Sequence, residues 1–192
     1  ENIEDTIANV YPEFDRRGDL KQFNGWARMA IPIQRFEILR VREAEIGRFY
    51  PKEVSCEIEI NLNGVQPLIR EEWDKLKKHD VVFFVSFNEN SPNSVMAIRG
   101  AEIINIYDNA KNEITNVEID GKAHGEIRRL QIILDTVQYQ KDLRDSEVVI
   151  EELYSNFHLL IRRKTKFNNF KPILDTIRNL MNSDSVIPEW FR

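Results

Sequence analysis

Val54-Ser55-Cys56-Glu57-Ile58-Glu59-Ile60-Asn61-Leu62 is the stretch on which the fold turns. Val54, Cys56, Ile58, Ile60 and Leu62 alternate with Ser55, Glu57, Glu59 and Asn61, the period-two pattern of a strand with one wet face. Downstream, Asn63-Gly64 turns the chain into a helix predicted over 67–78. Pro67 suits its first position, Glu71 and Glu72 lie early and Lys75, Lys77 and Lys78 late, as the helix dipole favours. Ile69, Trp73 and Leu76 make its apolar stripe. Asp80 then opens Val81-Val82-Phe83-Phe84-Val85, whose lack of alternation predicts burial on both faces.

A polar loop is expected over 88–93, then a strand over 95–107 bent at Gly100. Residues 108–125 read as a loop or hairpin with a weak strand near Val117. Residues 127–134 alternate again, with Leu130, Ile132 and Leu134 on one face. A helix around 147–154, a strand around 157–162 and an amphipathic helix over 170–182, capped by Asn168 or Asn169, complete the C-terminal part. Upstream, 26–46 reads as one long strand or two joined by a bend. Pro32 cannot donate to a ladder and belongs on an edge or at a bulge. Ile3, Ile7 and Val10 share one face of a first helix over 2–10, ended by Pro12 and the polar residues 15–19. The fold class is mainly β with helices (α+β): about six strands in a closed or nearly closed barrel, the rival being an open sheet covered by helices.

The chain has 192 residues, 42% apolar and 10% aromatic, enough for one large domain or two small ones with a real core. A net charge of -5 argues against coating nucleic acid by charge alone. Residues 156–192 nonetheless carry seven Lys/Arg against three Asp/Glu, leaving 20 against 29 for the rest. One cysteine, Cys56, excludes an internal disulfide and fits a reducing compartment. No apolar run approaches the roughly 18 residues that span a bilayer, so no membrane partner is expected. The chain opens on Glu1 rather than Met, as a piece of something longer would.

No nucleotide-binding or zinc-protease motif of the GxxxxGK[ST], GxGxxG or HExxH type occurs, and no cofactor or catalytic residue is expected. His79, His124 and His158 are too scattered to ligate one metal. His79 reads as a cation capping a helix C-terminus and His158 as structural. Cys56 reads as a small core hydrophobe. Glu57/Glu59 and Glu71/Glu72 read as solvated faces, and Trp26 and Trp73 as core anchors. The run Arg162-Arg163-Lys164-Thr165-Lys166-Phe167 can bind a phosphate backbone, with Arg162, Arg163, Lys164 and Lys166 as the candidate contacts; the plainer reading is a solvated loop joined to an acidic neighbour. Trp190 is expected to dock on a domain outside this chain.

Several stretches resemble the Aquarius family of intron-binding spliceosomal RNA helicases. They are Gly25-Trp26-Ala27-Arg28-Met29-Ala30, Ile60-Asn61-Leu62-Asn63, Glu72-Trp73 with Lys78-His79-Asp80-Val81, Arg99-Gly100, Arg162-Arg163-Lys164, Asn168-Asn169-Phe170-Lys171, residues 176–182 and Pro188-Glu189-Trp190. They run in family order along almost the whole chain. The resemblance implies the accessory β-barrel just upstream of the helicase motor, with 1–23 as an N-terminal helix and linker, 24–162 as the barrel and 163–192 as a helical bridge towards the motor. The family's ATP-binding motifs would lie beyond Arg192, so this piece is not expected to be an enzyme. One departure stands out: the connection between Phe87 and Val95 is shorter than the long basic segment of the spliceosomal members.

Three roles follow as expectations. The first is a non-catalytic nuclear barrel bracing the motor against the helical scaffold, among spliceosomal proteins. The second is direct binding of intronic single-stranded RNA. The third is a peptide-docking module, using the strand near Pro32 or a groove beside the Ile69/Trp73 helix, together with Trp190, for a partner such as a nuclear Argonaute.

Overall fold

A computed structural model describes residues 3–17, 20–88, 91–114, 123–145 and 150–163. The strand read from the alternation is present as β4 (Glu53–Asn61), with Val54, Cys56, Ile58 and Ile60 all at most 1% exposed. It pairs antiparallel on one side with β3 (Ala30–Arg42) and on the other with β7 (Ile127–Leu134). Beyond β7 the sheet continues through β6 (Ser91–Tyr107), β5 (Val81–Asn88) and β8 (Leu159–Arg162). β8 then returns to β3, with Ala30 opposite Ile161 and Pro32 opposite Leu159. The six strands therefore form a closed antiparallel barrel, and the open sheet is set aside.

Pro32 sits where closure tolerates it. Ile33 N–H bonds the His158 carbonyl and Arg162 N–H bonds the Met29 carbonyl. These alternate positions leave the Pro32 nitrogen facing away from β8. Pairing with β4 begins only at Ile33. The missing N–H thus costs no ladder bond.

The inward side chains of β4, β7, β5 and β6 fill the barrel, and α2 (Pro67–Asp74) covers one end with Ile69 and Trp73. Cys56 lies inside, and burial pushes its thiol up to about 12; it serves as a core hydrophobe. A second apolar cluster lies outside the barrel wall. There Val85, Phe87, Leu159 and Ile161 meet Val10, Ala27 and Met29, with Ile3 and Ile7 of α1 (Ile3–Ala8) packed against them. β5 is buried on both faces, as its unbroken apolar run predicts.

Several elements differ from expectation. Val10 begins a strand rather than continuing the helix, and β1 (Val10–Phe14) pairs with β2 (Leu20–Gly25) as a hairpin containing Pro12. The polar segment expected as a loop at 88–93 contributes Asn88 and Ser91 as a strand pair. β6 pairs regularly through Gly100, opposite Phe83, and shifts register elsewhere: against β5 between Ser91 and Ala97, and against β7 between Ile103 and Asn105. A helix not read from the sequence, α3 (Thr136–Asp145), follows β7, with Asp135 accepting from the Val137 and Gln138 N–H groups at its start. α4 (Ile150–Ser155) matches the later helix. Val117 and the helix predicted over 170–182 lie outside the described residues.

Leu160 faces the barrel interior and is fully buried. Leu160→Ala is expected to cost about 2–5 kcal/mol, measured by urea unfolding. The neutral His158 ring accepts the Phe87 N–H on Nδ1 at 3.4 Å and meets Phe14 edge-on, and burial holds its pKa below the usual 6.5. A depressed folded value means that stability is lost as pH falls below about 6.5. Thermal melts from pH 8 to pH 5 should show that loss, and His158→Phe should flatten it.

Candidate functional site

Gly25 has φ 83°, and a Cβ there would stand 2.1 Å from the Asn9 carbonyl oxygen. Only glycine turns the chain at that point. Trp26 N–H then bonds that same carbonyl, which fixes the backbone and aims the side chain outward. Trp26 is 60% exposed. The expectation of a core anchor is corrected here: the turn pins its main chain and leaves the indole in solvent. Trp73 is a core anchor, at 3% exposure.

Two residues on, Arg28 reaches α2. Its Nε donates to a Glu72 carboxylate oxygen at 3.0 Å and its Nη2 binds the other. Arg162, the last residue of β8, binds the same carboxylate and lies over the Trp73 ring, 5.7 Å from its centroid. The Arg28 bond, with the two guanidinium charges, outweighs the cost of burial and keeps the Glu72 carboxyl below its ordinary value. Glu72 was expected on a solvated face; it is instead the acidic centre of a corner that ties the 26–29 turn, α2 and β8 together.

Arg162 is 8% exposed, and its guanidinium is occupied by this corner. Arg163 is exposed at the end of β8. Lys164, Lys166 and Trp190 lie outside the described residues. Pro32 is exposed and lines a groove beside the corner, with Trp26, Ile69 and Trp73 on its walls. The two docking features considered separately in the sequence, the strand at Pro32 and the groove by the Ile69/Trp73 helix, are therefore one surface.

Other charged pairs hold the helices to the wall. Asp142 of α3 accepts from Arg99 of β6 at 2.6 and 2.8 Å, from Gln138 at 2.9 Å and from the Tyr154 hydroxyl of α4 at 2.9 Å. Burial pushes its carboxyl up, but these bonds outweigh it and hold the group below the usual range. Arg128 of β7 is 3% exposed and donates to Asp74 of α2 at 2.8 Å. Its position on the inward register of β7 was readable from the alternation; the partners of Asp142, distant in sequence, were not. His79 lies beyond the end of α2 at φ 72°, with Nδ1 2.7 Å from Glu102. The capping expectation is corrected: the helix closes at Asp74, and His79 belongs to the turn that leads into β5. Among the described residues no cluster of His, Cys, Asp and Glu has the geometry of a metal site, and no helix is long and apolar enough to cross a membrane.

Residues 11–163 match the family described as the β-barrel of the intron-binding protein aquarius. The chain belongs to the Aquarius family. The mouse (Mus musculus) RNA helicase aquarius is 36% identical over 206 aligned residues, covering 99% of this chain and 14% of that protein. The match identifies residues 11–163 with the barrel of an Aquarius protein, and the chain spans about 14% of the length of the mouse relative. The aligned length exceeds the chain's own 192 residues, so the mouse protein carries extra residues within the aligned region.

Substitutions at the corner of the Aquarius barrel should be asymmetric. Glu72→Ala leaves the Arg162 guanidinium buried without this carboxylate and is expected to cost about 3 kcal/mol. Arg162→Ala leaves Glu72 bonded to Arg28 and is expected to cost about 1 kcal/mol. Chemical denaturation of both variants checks the order.

Proposed function

We propose that this barrel is a non-catalytic accessory module of an Aquarius-type, intron-binding spliceosomal RNA helicase. It braces the motor against the helical scaffold and docks protein or RNA partners during pre-mRNA splicing in the nucleus. The observation that carries this reading is the fastening of β8. Its backbone pairs with β3 and β5, and Arg162 at its end is bound to α2 through Glu72. A chain leaving such an anchored strand transmits displacement instead of absorbing it. In this reading residues 163–192 are the bridge to the motor, 24–162 the barrel and 1–23 the approach from the scaffold.

RNA contact is assigned to Arg163, Lys164 and Lys166, since Arg162 is engaged in the corner. A partner from nuclear small-RNA silencing, such as an Argonaute reached through Pro32 and Trp190, is the alternative to spliceosomal proteins; the shared groove at Pro32 favours a docking role of that kind.

The test of bracing uses the full-length helicase carrying Glu72→Gln or Arg162→Ala. RNA-stimulated ATP hydrolysis should persist while strand unwinding falls. Unchanged unwinding in a variant whose barrel is measurably loosened would overturn the brace. For RNA, anisotropy with single-stranded RNA and the 192-residue chain should show a steep loss of affinity between about 50 and 200 mM salt. Arg163→Glu with Lys164→Glu should abolish the binding.

A further inference from the structure

The groove beside the corner has a volume of about 420 Å³ and is walled by the start of β3, the end of β4 and α2. None of the side chains lining it is charged, in a chain whose residues are 31% charged. An anionic backbone finds no cation on these walls, and an acidic or basic peptide finds no counter-charge. The occupant it suits is neutral.

The polar groups on the walls are the side-chain amides of Gln34, Asn61 and Asn63. Asn61 Oδ1 already accepts the Asn63 N–H at 2.8 Å, which leaves its NH2 group to donate. The Trp73 indole N–H, on the same wall, is buried without a hydrogen-bond partner among the described residues. Each of the three amides thus carries N–H donors for an occupant's carbonyl oxygens.

Backbone pairing is a poor way to supply them. β3 is open beside Pro32, where β4 pairing has not begun, but Pro32 has no N–H with which to extend a ladder. A peptide adding as a strand loses a bond at the position where it must start. A polyproline II segment has no such need: it makes no internal hydrogen bonds, presents its carbonyls outward and packs its rings on aromatic faces. Trp26, 60% exposed beside Pro32, offers such a face.

We propose that this groove captures an uncharged, proline-containing peptide in the polyproline II conformation. Its rings lie against Trp26 and its carbonyls face the amides of Gln34, Asn61 and Asn63. This rests on the docking part of the function proposed above and not on bracing.

The test is a titration of the isotope-labelled 192-residue chain with an acetylated, amidated peptide of repeated Leu-Pro-Pro, followed through the tryptophan indole N–H resonances. The Trp26 signal, assigned by its loss in Trp26→Ala, should shift saturably. Trp26→Ala should weaken binding by roughly tenfold, or about 1.4 kcal/mol, read from backbone resonances around Asn61 and Asn63. A Glu-Pro-Pro repeat should bind more weakly still to Asn63→Asp than to the parent chain. No shift at millimolar peptide, an equal response to a Gly-Ser repeat, or unchanged affinity in Trp26→Ala overturns the proposal. A Trp26 shift produced by oligouridylate and not by the peptide also overturns it, and makes this a nucleic-acid surface. A negative titration beside a persistent unwinding defect in the full-length variants removes the peptide and leaves the brace standing.

Discussion

Closure by β8 is the constraint on which the rest of this barrel depends. Four residues, Leu159-Leu160-Ile161-Arg162, insert between β3 and β5, and all four are buried. Successive side chains serve opposite faces: Leu160 fills the interior, while Leu159 and Ile161 support the N-terminal hairpin outside. Without β8 the edges of β3 and β5 would stand open with unpaired backbone groups. The outer cluster under α1, β1 and β2 would lose part of its floor. The strand is short, yet both cores meet in it.

Around that closure the charged residues act as fasteners. Arg28 and Arg162 converge on Glu72, Arg128 reaches Asp74, Arg99 reaches Asp142, and Arg129 of β7 reaches Glu59 of β4. Four of these five pairs join a helix to a strand or turn, where no backbone ladder can. Such pairs add little net stability where they are wet, but breaking a buried one is costly because a charge is left behind. They therefore fix where the helices sit more than they add to the total. This suits a module whose proposed work is to hold its neighbours at set positions.

The surface around Trp26 follows from the same construction. The Gly25 turn that seats the hairpin also throws Trp26 outward, and the proline that β3 tolerates at closure lines the groove next to it. The closing joint and the proposed docking groove thus share α2: Glu72 faces the joint, while Ile69 and Trp73 back the groove. A partner bound in the groove would press on the helix that Arg162 holds.

Much of the fold was legible locally. The alternation of β4 and β7, the unbroken apolar run of β5 and the Pro67 start of α2 each report their own environment, because side-chain period and burial are coupled within a strand or helix. The family was legible too, in blocks such as Gly25-Trp26-Ala27-Arg28 and Arg162-Arg163-Lys164. The β1–β2 hairpin was missed because Pro12 and the polar turn mimic a helix exit, and its partner face is supplied by β5 and β8. α3 was missed because its anchoring residue, Asp142, is satisfied by Arg99 and Tyr154 from other elements. The sequence by itself determined the six strands of the barrel, the buried faces of β4, β5 and β7, and the kinship. Tertiary structure alone decided that Arg162 turns inward to Glu72 and that Trp26 stands in solvent, because a side chain's fate at a joint depends on residues that only chain closure brings together.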